Sequence, residues 1–123
     1  SNFISAVVVE ITDEYLLCSM GGDLVLSAKN TGGTGVDDHV TLALRPEKIT
    51  LEACDNITEG DMTGTVENSI YLGTDTAYQI RLNKEVCLNV RGQNSISGEA
   101  QFQINDKVAL KVVPGAARIL AEK

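Results

Sequence analysis

The stretch VTLALRPEKITLEA, Val40–Ala53, alternates, stops and alternates again. Val40, Leu42 and Leu44 fall on one side of an extended chain, with Thr41, Ala43 and Arg45 on the other. Pro46 has no N–H to give to a ladder, and beyond it Ile49, Leu51 and Ala53 resume the period of two. A two-residue period broken by proline reads as two strands joined at a rigid corner. Proline suits the first position of a helix, so a short helical turn is expected at Pro46–Lys48.

The same period runs outward in both directions. Val7, Val9 and Ile11 share one side of a first strand. YLLCSM (Tyr15–Met20) and DLVLSA (Asp23–Ala28) flank Gly21-Gly22, a hairpin signal because glycine accepts positive φ. KNTGGTGVDD (Lys29–Asp38) is a polar loop. After Ala53, MTGTVENSIYLG (Met62–Gly73) places Val66, Ile70 and Leu72 on one side. Asn68 falls on that same apolar side and needs a hydrogen-bond partner if buried. Two further strands set Tyr78, Ile80 and Leu82 against Ala77, Gln79 and Arg81, then Val86, Leu88 and Val90 against Cys87, Asn89 and Arg91. DKVALKVV (Asp106–Val113) sets Val108, Leu110 and Val112 inward with Lys107 and Lys111 outward, and ARIL (Ala117–Leu120) supplies a last strand. The polar run Gln93–Gln101 has room for one helical turn. The expected class is all-β with little helix: nine or ten short strands in OB-like small barrels or a sandwich, with two half-barrels packed together as one architecture that fits. The halves share an order of elements, but no sequence repeat stands out.

With 123 residues the chain suits one domain or two small lobes. Its net charge of −7, with basic residues scattered, argues against nucleic acid and against anionic membrane surfaces. The five aromatics do not alternate with basic residues, which makes a poor base-stacking platform. Cys18, Cys54 and Cys87 are widely spaced and odd in number, which reads as reduced thiols. Ser1 at the start suggests a piece of a larger protein.

Chemistry is sparse. No phosphate loop, nucleophile elbow or zinc-protease helix is present. GGTG, Gly32–Gly35, offers amides to an anion but reads as a flexible loop. Asp37, Asp38 and His39 are three potential metal ligands, yet neighbours on an extended chain point to opposite faces, so a solvated loop end is the expectation. The carboxylates form no spaced pair for acid–base work.

Several stretches carry a resemblance. LALRPEKITL resembles the RPE strand–turn–strand signature of transport-associated OB (TOBE) domains, found at the C-terminal end of ATP-binding subunits of ABC importers. GTVENSIYLGTDTAYQIRL, Gly64–Leu82, is similar to the family's second signature, in a form most like the spermidine/putrescine branch. NFISAVVVE at the start, and Asn105–Val108 with Pro114–Leu120 at the end, resemble its entry and exit strands.

The resemblance implies an OB-like C-terminal regulatory domain over residues 1–123. It would be non-catalytic by itself, with ATP and Mg held by a separate ATPase module. Implied partners are a second copy, that ATPase module and, through the whole subunit, the transporter's membrane subunits at the inner face of the plasma membrane. The acidic surface can also attract polyamines weakly. Arg45, Pro46, Glu47, Tyr71, Gly73 and Asp75 lie in the two signatures and are the candidate regulatory or interface residues, with Glu47 first. The bland alternative for the corner is that Arg45 and Glu47 pair with each other or cap nearby backbone. A rival function is a small-ligand or oxyanion-binding module of the same fold, and iron- or sugar-type importers carry related domains.

Overall fold

The computed structural model describes residues 1–94 and 101–120. Ten strands run in order: β1 Asn2–Ile11, β2 Tyr15–Gly21, β3 Leu24–Lys29, β4 His39–Leu44, β5 Ile49–Ala53, β6 Met62–Tyr71, β7 Asp75–Arg81, β8 Cys87–Gln93, β9 Lys107–Val112 and β10 Arg118–Ile119. Two 3-10 turns, Pro46–Lys48 and Cys54–Asn56, are the helical content among the described residues. The all-β expectation and the proline-led turn after β4 both hold. The turn of helix expected near Gln93–Gln101 falls on residues 95–100, outside the described ones.

The chain forms two compact units, residues 1–45 with 113–123, and residues 46–112. Each holds one five-stranded sheet, ordered β10-β4-β1-β2-β3 in the first unit and β5-β9-β6-β7-β8 in the second. The two orders are the same once β10 and β5 are read as fifth strands. Four strands of the first unit are consecutive, the chain then supplies the second unit's fifth strand, and β10 returns at the end to complete the first.

Matching details repeat inside each unit. Asp38 O accepts from Val8 N at 3.0 Å and Val8 O accepts from Asp37 N at 2.7 Å; in the second unit Asp106 O accepts from Val66 N at 2.9 Å and Val66 O from Asn105 N at 2.8 Å. Asp37 and Asn105 both adopt positive φ, 74° and 79°, a conformation that Asp and Asn tolerate better than most residues. VDDHVTLALRP (Val36–Pro46) therefore corresponds to INDKVALKVVP (Ile104–Pro114), proline matching proline. The repeat hidden in the sequence is structural, and each proline turns the chain toward a fifth strand.

The first unit's core is Ile4, Ala6 and Val8 of β1 with Leu16, Cys18, Leu26, Ala28, Val40, Leu42 and Leu44. This corrects the reading of β1. Its inward side is the alternate set Ile4-Ala6-Val8, which leaves Val9 exposed, and a bulge between Val8 and Glu10 reverses the chain beyond it, so that Ile11, opposite Leu16, no longer shares the side of Val7. In the second unit Met62, Val66, Tyr78, Ile80, Leu88, Val90, Val108 and Leu110 are buried. A bulge between Val66 and Asn68 turns Asn68, Ile70 and Leu72 outward, against expectation. Asn68 needs no core partner there; its Oδ1 accepts from Ser69 N at 3.0 Å. Val112, expected inward, is half-buried, whereas Ala109 is fully buried. Each large aliphatic side chain taken from water stabilises its unit by about 1.5–3 kcal/mol.

The predicted glycine hairpin is present, with Gly21 at φ 109° and Gly22 at φ 55°. The first unit closes on itself. β10 pairs antiparallel with β4, Ala117 bridges parallel to Ala28, and Lys29 N donates to Ala117 O at 3.3 Å. A five-stranded order with a parallel closure between third and fifth strands is the OB-type Greek-key barrel.

Candidate functional site

In the second unit the corresponding seam, between β8 and β5, carries no such bridge among the described residues. A cleft of about 430 Å³ lies there instead. Glu47, Ile49, Thr50 and Leu51 line one side; Arg91, Gly92, Gln93 and Asn94 line the other, with Tyr78, Gln101 and Phe102 between. The Tyr78 and Phe102 rings meet edge to face, centroids 6.0 Å apart, and the Tyr78 hydroxyl accepts from Phe102 N at 3.4 Å.

The first unit shows why its own seam is shut. Gly115 follows Pro114 as Glu47 follows Pro46, and it sits at φ 78° with its amide donating to Ser27 Oγ at 2.9 Å. A Cβ at Gly115 would come within 2.8 Å of the Tyr15 ring, so only glycine lets the chain press this close. Glu47 in the matching place is exposed and bears a charge.

Arg91 donates to Asp75 Oδ2 from Nε at 3.0 Å, with Nη2 2.9 Å away from the same oxygen. Asp75 opens β7, immediately after the β6–β7 turn. Leu72 N donates to Asp75 O at 2.8 Å, and Gly73 takes φ 100°. Asn94 ties that turn to the cleft: its N donates to Thr74 O at 3.0 Å and its Nδ2 to Gly73 O at 2.7 Å. The arm beyond the bulge runs for four residue pairs, Asn68↔Gln79 to Tyr71↔Thr76, against two in the first unit, Glu10↔Leu17 and Ile11↔Leu16. The extra length carries Ile70, Tyr71 and Leu72 into solvent, Tyr71 at 61% exposure.

The structure thus connects four of the six candidate residues through the second unit: Glu47 on the cleft, Asp75 on Arg91, and Gly73 and Tyr71 on the arm held by Asn94. Pro46 starts the 3-10 turn that bears Glu47. Arg45 is exposed at the end of the first unit. The anticipated Arg45–Glu47 pairing is not found; the ion pairs among the described residues are Arg81–Glu67, Arg91–Asp75 and Lys111–Asp61. Asn94, Arg91 and Phe102 escaped sequence reasoning, since nothing in a period-2 pattern marks which strand ends meet.

The remaining candidates stay structural. Gly32 N donates to Asn30 Oδ1 and Gly35 N to Asp38 Oδ2, so two amides of the glycine loop are already committed. Asp38 is spent on that turn, and the described residues hold no group of three His, Cys, Asp or Glu able to share a metal ion. All three cysteines are free. Burial pushes the Cys18 and Cys87 thiols up, and the Cys87 thiol leans on Glu67 Oε1 at 3.8 Å. Hydrogen bonds from Arg81 hold the Glu67 carboxyl below its usual range.

Comparison with known proteins agrees with this architecture. The model of the TOBE domain matches residues 42–120. The chain belongs to the TOBE domain family. The matched span takes in the whole second unit of this TOBE domain together with the end of β4 and all of β10. The spermidine/putrescine import ATP-binding protein PotA of Mesorhizobium japonicum is 30% identical over 99% of the chain, which covers 32% of that protein. PotA of Roseobacter denitrificans is 36% identical over 86% of the chain and 29% of its own length. The TOBE chain therefore spans about a third of the length of these relatives. The crystal structure of the cytoplasmic molybdate-binding protein ModG superposes with a TM-score of 0.74 at 12% identity, covering 94% of this chain and 92% of that one, a likeness of fold. No helix among the described residues is long and apolar enough to cross a membrane.

Proposed function

We propose that this TOBE domain serves as the regulatory and dimerisation domain of the ATP-binding subunit of an ABC importer of spermidine/putrescine type. The observation that carries the reading is its end-to-end similarity to about a third of several PotA proteins. ATP and Mg belong, on this reading, to an ATPase module elsewhere in the subunit, on the cytoplasmic side of the importer. The domain contributes contacts: to a second copy, to that module and to whatever regulates it. Exposed Phe3, Val9 and Ile11 of β1 and Val25 of β3 favour an apolar self-contact on the first unit. Polyamines are attracted weakly by the net charge of −7, in a manner that salt screens.

The test is to compare a full-length ATP-binding subunit carrying this domain with the same subunit truncated before it. Loss of dimer at micromolar concentration, with ATP hydrolysis per ATPase module retained, supports the reading. Unchanged association and unchanged control of hydrolysis would overturn it.

A further inference from the structure

The two units present the same outward sheet face in opposite chemistry. Counted from Val8 and Val66, which make the matching bonds, Phe3 corresponds to Asp61 and Val9 to Glu67. Across the sheets, Ser19 corresponds to Arg81 and Ala43 to Lys111. In the second unit these four positions hold two ion pairs, Asp61–Lys111 and Glu67–Arg81. In the first they hold Phe3 opposite Ala43, and Val9 near Ser19. The outward positions from Phe3 to Val9 on β1, from Leu17 to Gly21 on β2, from Val25 to Ser27 on β3 and from His39 to Ala43 on β4 include no Asp, Glu, Lys or Arg.

The face carries a projection and a recess side by side. Phe3 is 66% exposed. A shallow hollow of about 400 Å³ lies next to it, lined by Ser5, Val7, Ser19, Gly21, His39 and Thr41. Val7 is opposite His39 on one side and Ser19 on the other, so it stands in the middle of that floor. Ser5 lies midway between Phe3 and Val7 on the same side of β1. A twofold axis through Ser5 therefore carries Phe3 of each copy onto Val7 of the other. A projection and its recess on one face of one chain are what an isologous contact requires.

Charge selects the occupant. With a net charge of −7, two copies repel wherever carboxylates meet, and this patch brings none together. Anionic membranes and nucleic acids are repelled by the same net charge. The face, four strands across and about seven residues long, spans roughly 400 Å² per copy, at the low end for a specific contact.

We propose that the charge-free face of the first unit is a twofold interface with a second copy of this chain, in which Phe3 of each copy fills the hollow of the other. This rests on the reading of the domain as a dimerisation module and names the face, the axis and the anchor.

The test is nuclear magnetic resonance of the isolated chain from about 20 µM to 1 mM. Expected is a Kd on the order of 100 µM, with concentration-dependent amide shifts centred on Ser5, Val7, Ser19 and Thr41. In an equal mixture of ¹³C-labelled and unlabelled chain, filtered NOEs should join the Phe3 ring of one copy to the methyls of Val7 and Thr41 of the other. Phe3→Ala should weaken association about tenfold. Val9→Glu with Ser19→Arg places on the first unit the ion pair that the second unit accommodates at the same positions, and should abolish the shifts at about 1 mM. Phe3→Ala, at an exposed site, and the NOEs decide the matter even if the double variant unfolds. No concentration-dependent shifts, association unchanged in Phe3→Ala or in a folded double variant, or NOEs placing Phe3 against another surface would each overturn the proposal. A full-length subunit that loses its dimer on truncation, yet keeps it with the double variant, would retain the proposed function and lose this face.

Discussion

The side-chain amide of Asn94 donates to the carbonyl of Gly73 at 2.7 Å, and its carbonyl oxygen accepts from the hydroxyl of buried Thr76. One residue at the end of β8 thereby fixes the turn that carries Tyr71. Its counterpart in the first unit is Asn30, whose N and Nδ2 donate to Glu14 O and Thr12 O, both at 2.8 Å.

Asn94→Ala leaves the Thr76 hydroxyl buried without its acceptor and frees the turn. The expected loss is about 1–3 kcal/mol of unfolding free energy. Asn30→Ala, whose side-chain oxygen accepts from the exposed amide of Gly32 and not from a buried hydroxyl, should cost about 1 kcal/mol or less. Urea unfolding of the two variants against wild type checks the order.

Two glycines separate crowding from backbone strain. At Gly64 a Cβ would meet Ile80 Cγ2 at 2.6 Å, Leu82 Cδ2 at 2.8 Å and Arg81 O at 2.9 Å. Gly64→Ala should destabilise by about 1–3 kcal/mol through overpacking. Gly22, at φ 55° with nothing within 4 Å of a Cβ, should lose only about 1 kcal/mol when changed to alanine. Thermal melts of both variants give the comparison.

Lys111 and Asp61 form an ion pair that also receives Thr58 N and Oγ1, and these bonds, Lys111 first, hold the Asp61 carboxyl below its usual range. A carboxyl depressed on folding adds stability above its unfolded pKa and loses it as pH falls through the folded value. Stability of the wild type should therefore fall as the pH drops below about 4. In Asp61→Asn that part of the fall should disappear while the Glu67–Arg81 part remains. Urea midpoints measured across this range show whether the two slopes differ.

Thiol labelling reads burial directly. Cys54 is partly exposed, Cys87 is partly exposed with its thiol pushed up by burial, and Cys18 is fully buried. Iodoacetamide at about pH 8 should modify Cys54 first, Cys87 more slowly and Cys18 only on unfolding. Mass spectrometry of timed samples gives the order; native-state labelling of Cys18 at the rate of Cys54 would contradict the packing.

Strand positions were legible because a half-buried strand must alternate, and the corner at Pro46 because proline cannot serve a ladder. The faces of β1 and β6 were misread for one reason: Val9 and Glu67 sit at bulges, and an extra residue reverses every side chain beyond it. The repeat was missed because Val36–Leu44 and Ile104–Val112 share a pattern more than identities, and the shared positive φ of Asp37 and Asn105 leaves only a faint mark in sequence. Of the site, Glu47, Tyr71, Gly73 and Asp75 were read from the two signatures. Their connection through Asn94 and Arg91 depends on which strand ends meet, and alternation is silent on that.

The most direct test of a domain that works by contact is sedimentation of the isolated chain from about 5 to 200 µM. A weight-average sedimentation coefficient rising from monomer toward dimer, and returned toward monomer by Phe3→Ser on the exposed face of β1, is the predicted result. A single monomeric species at every concentration would contradict it.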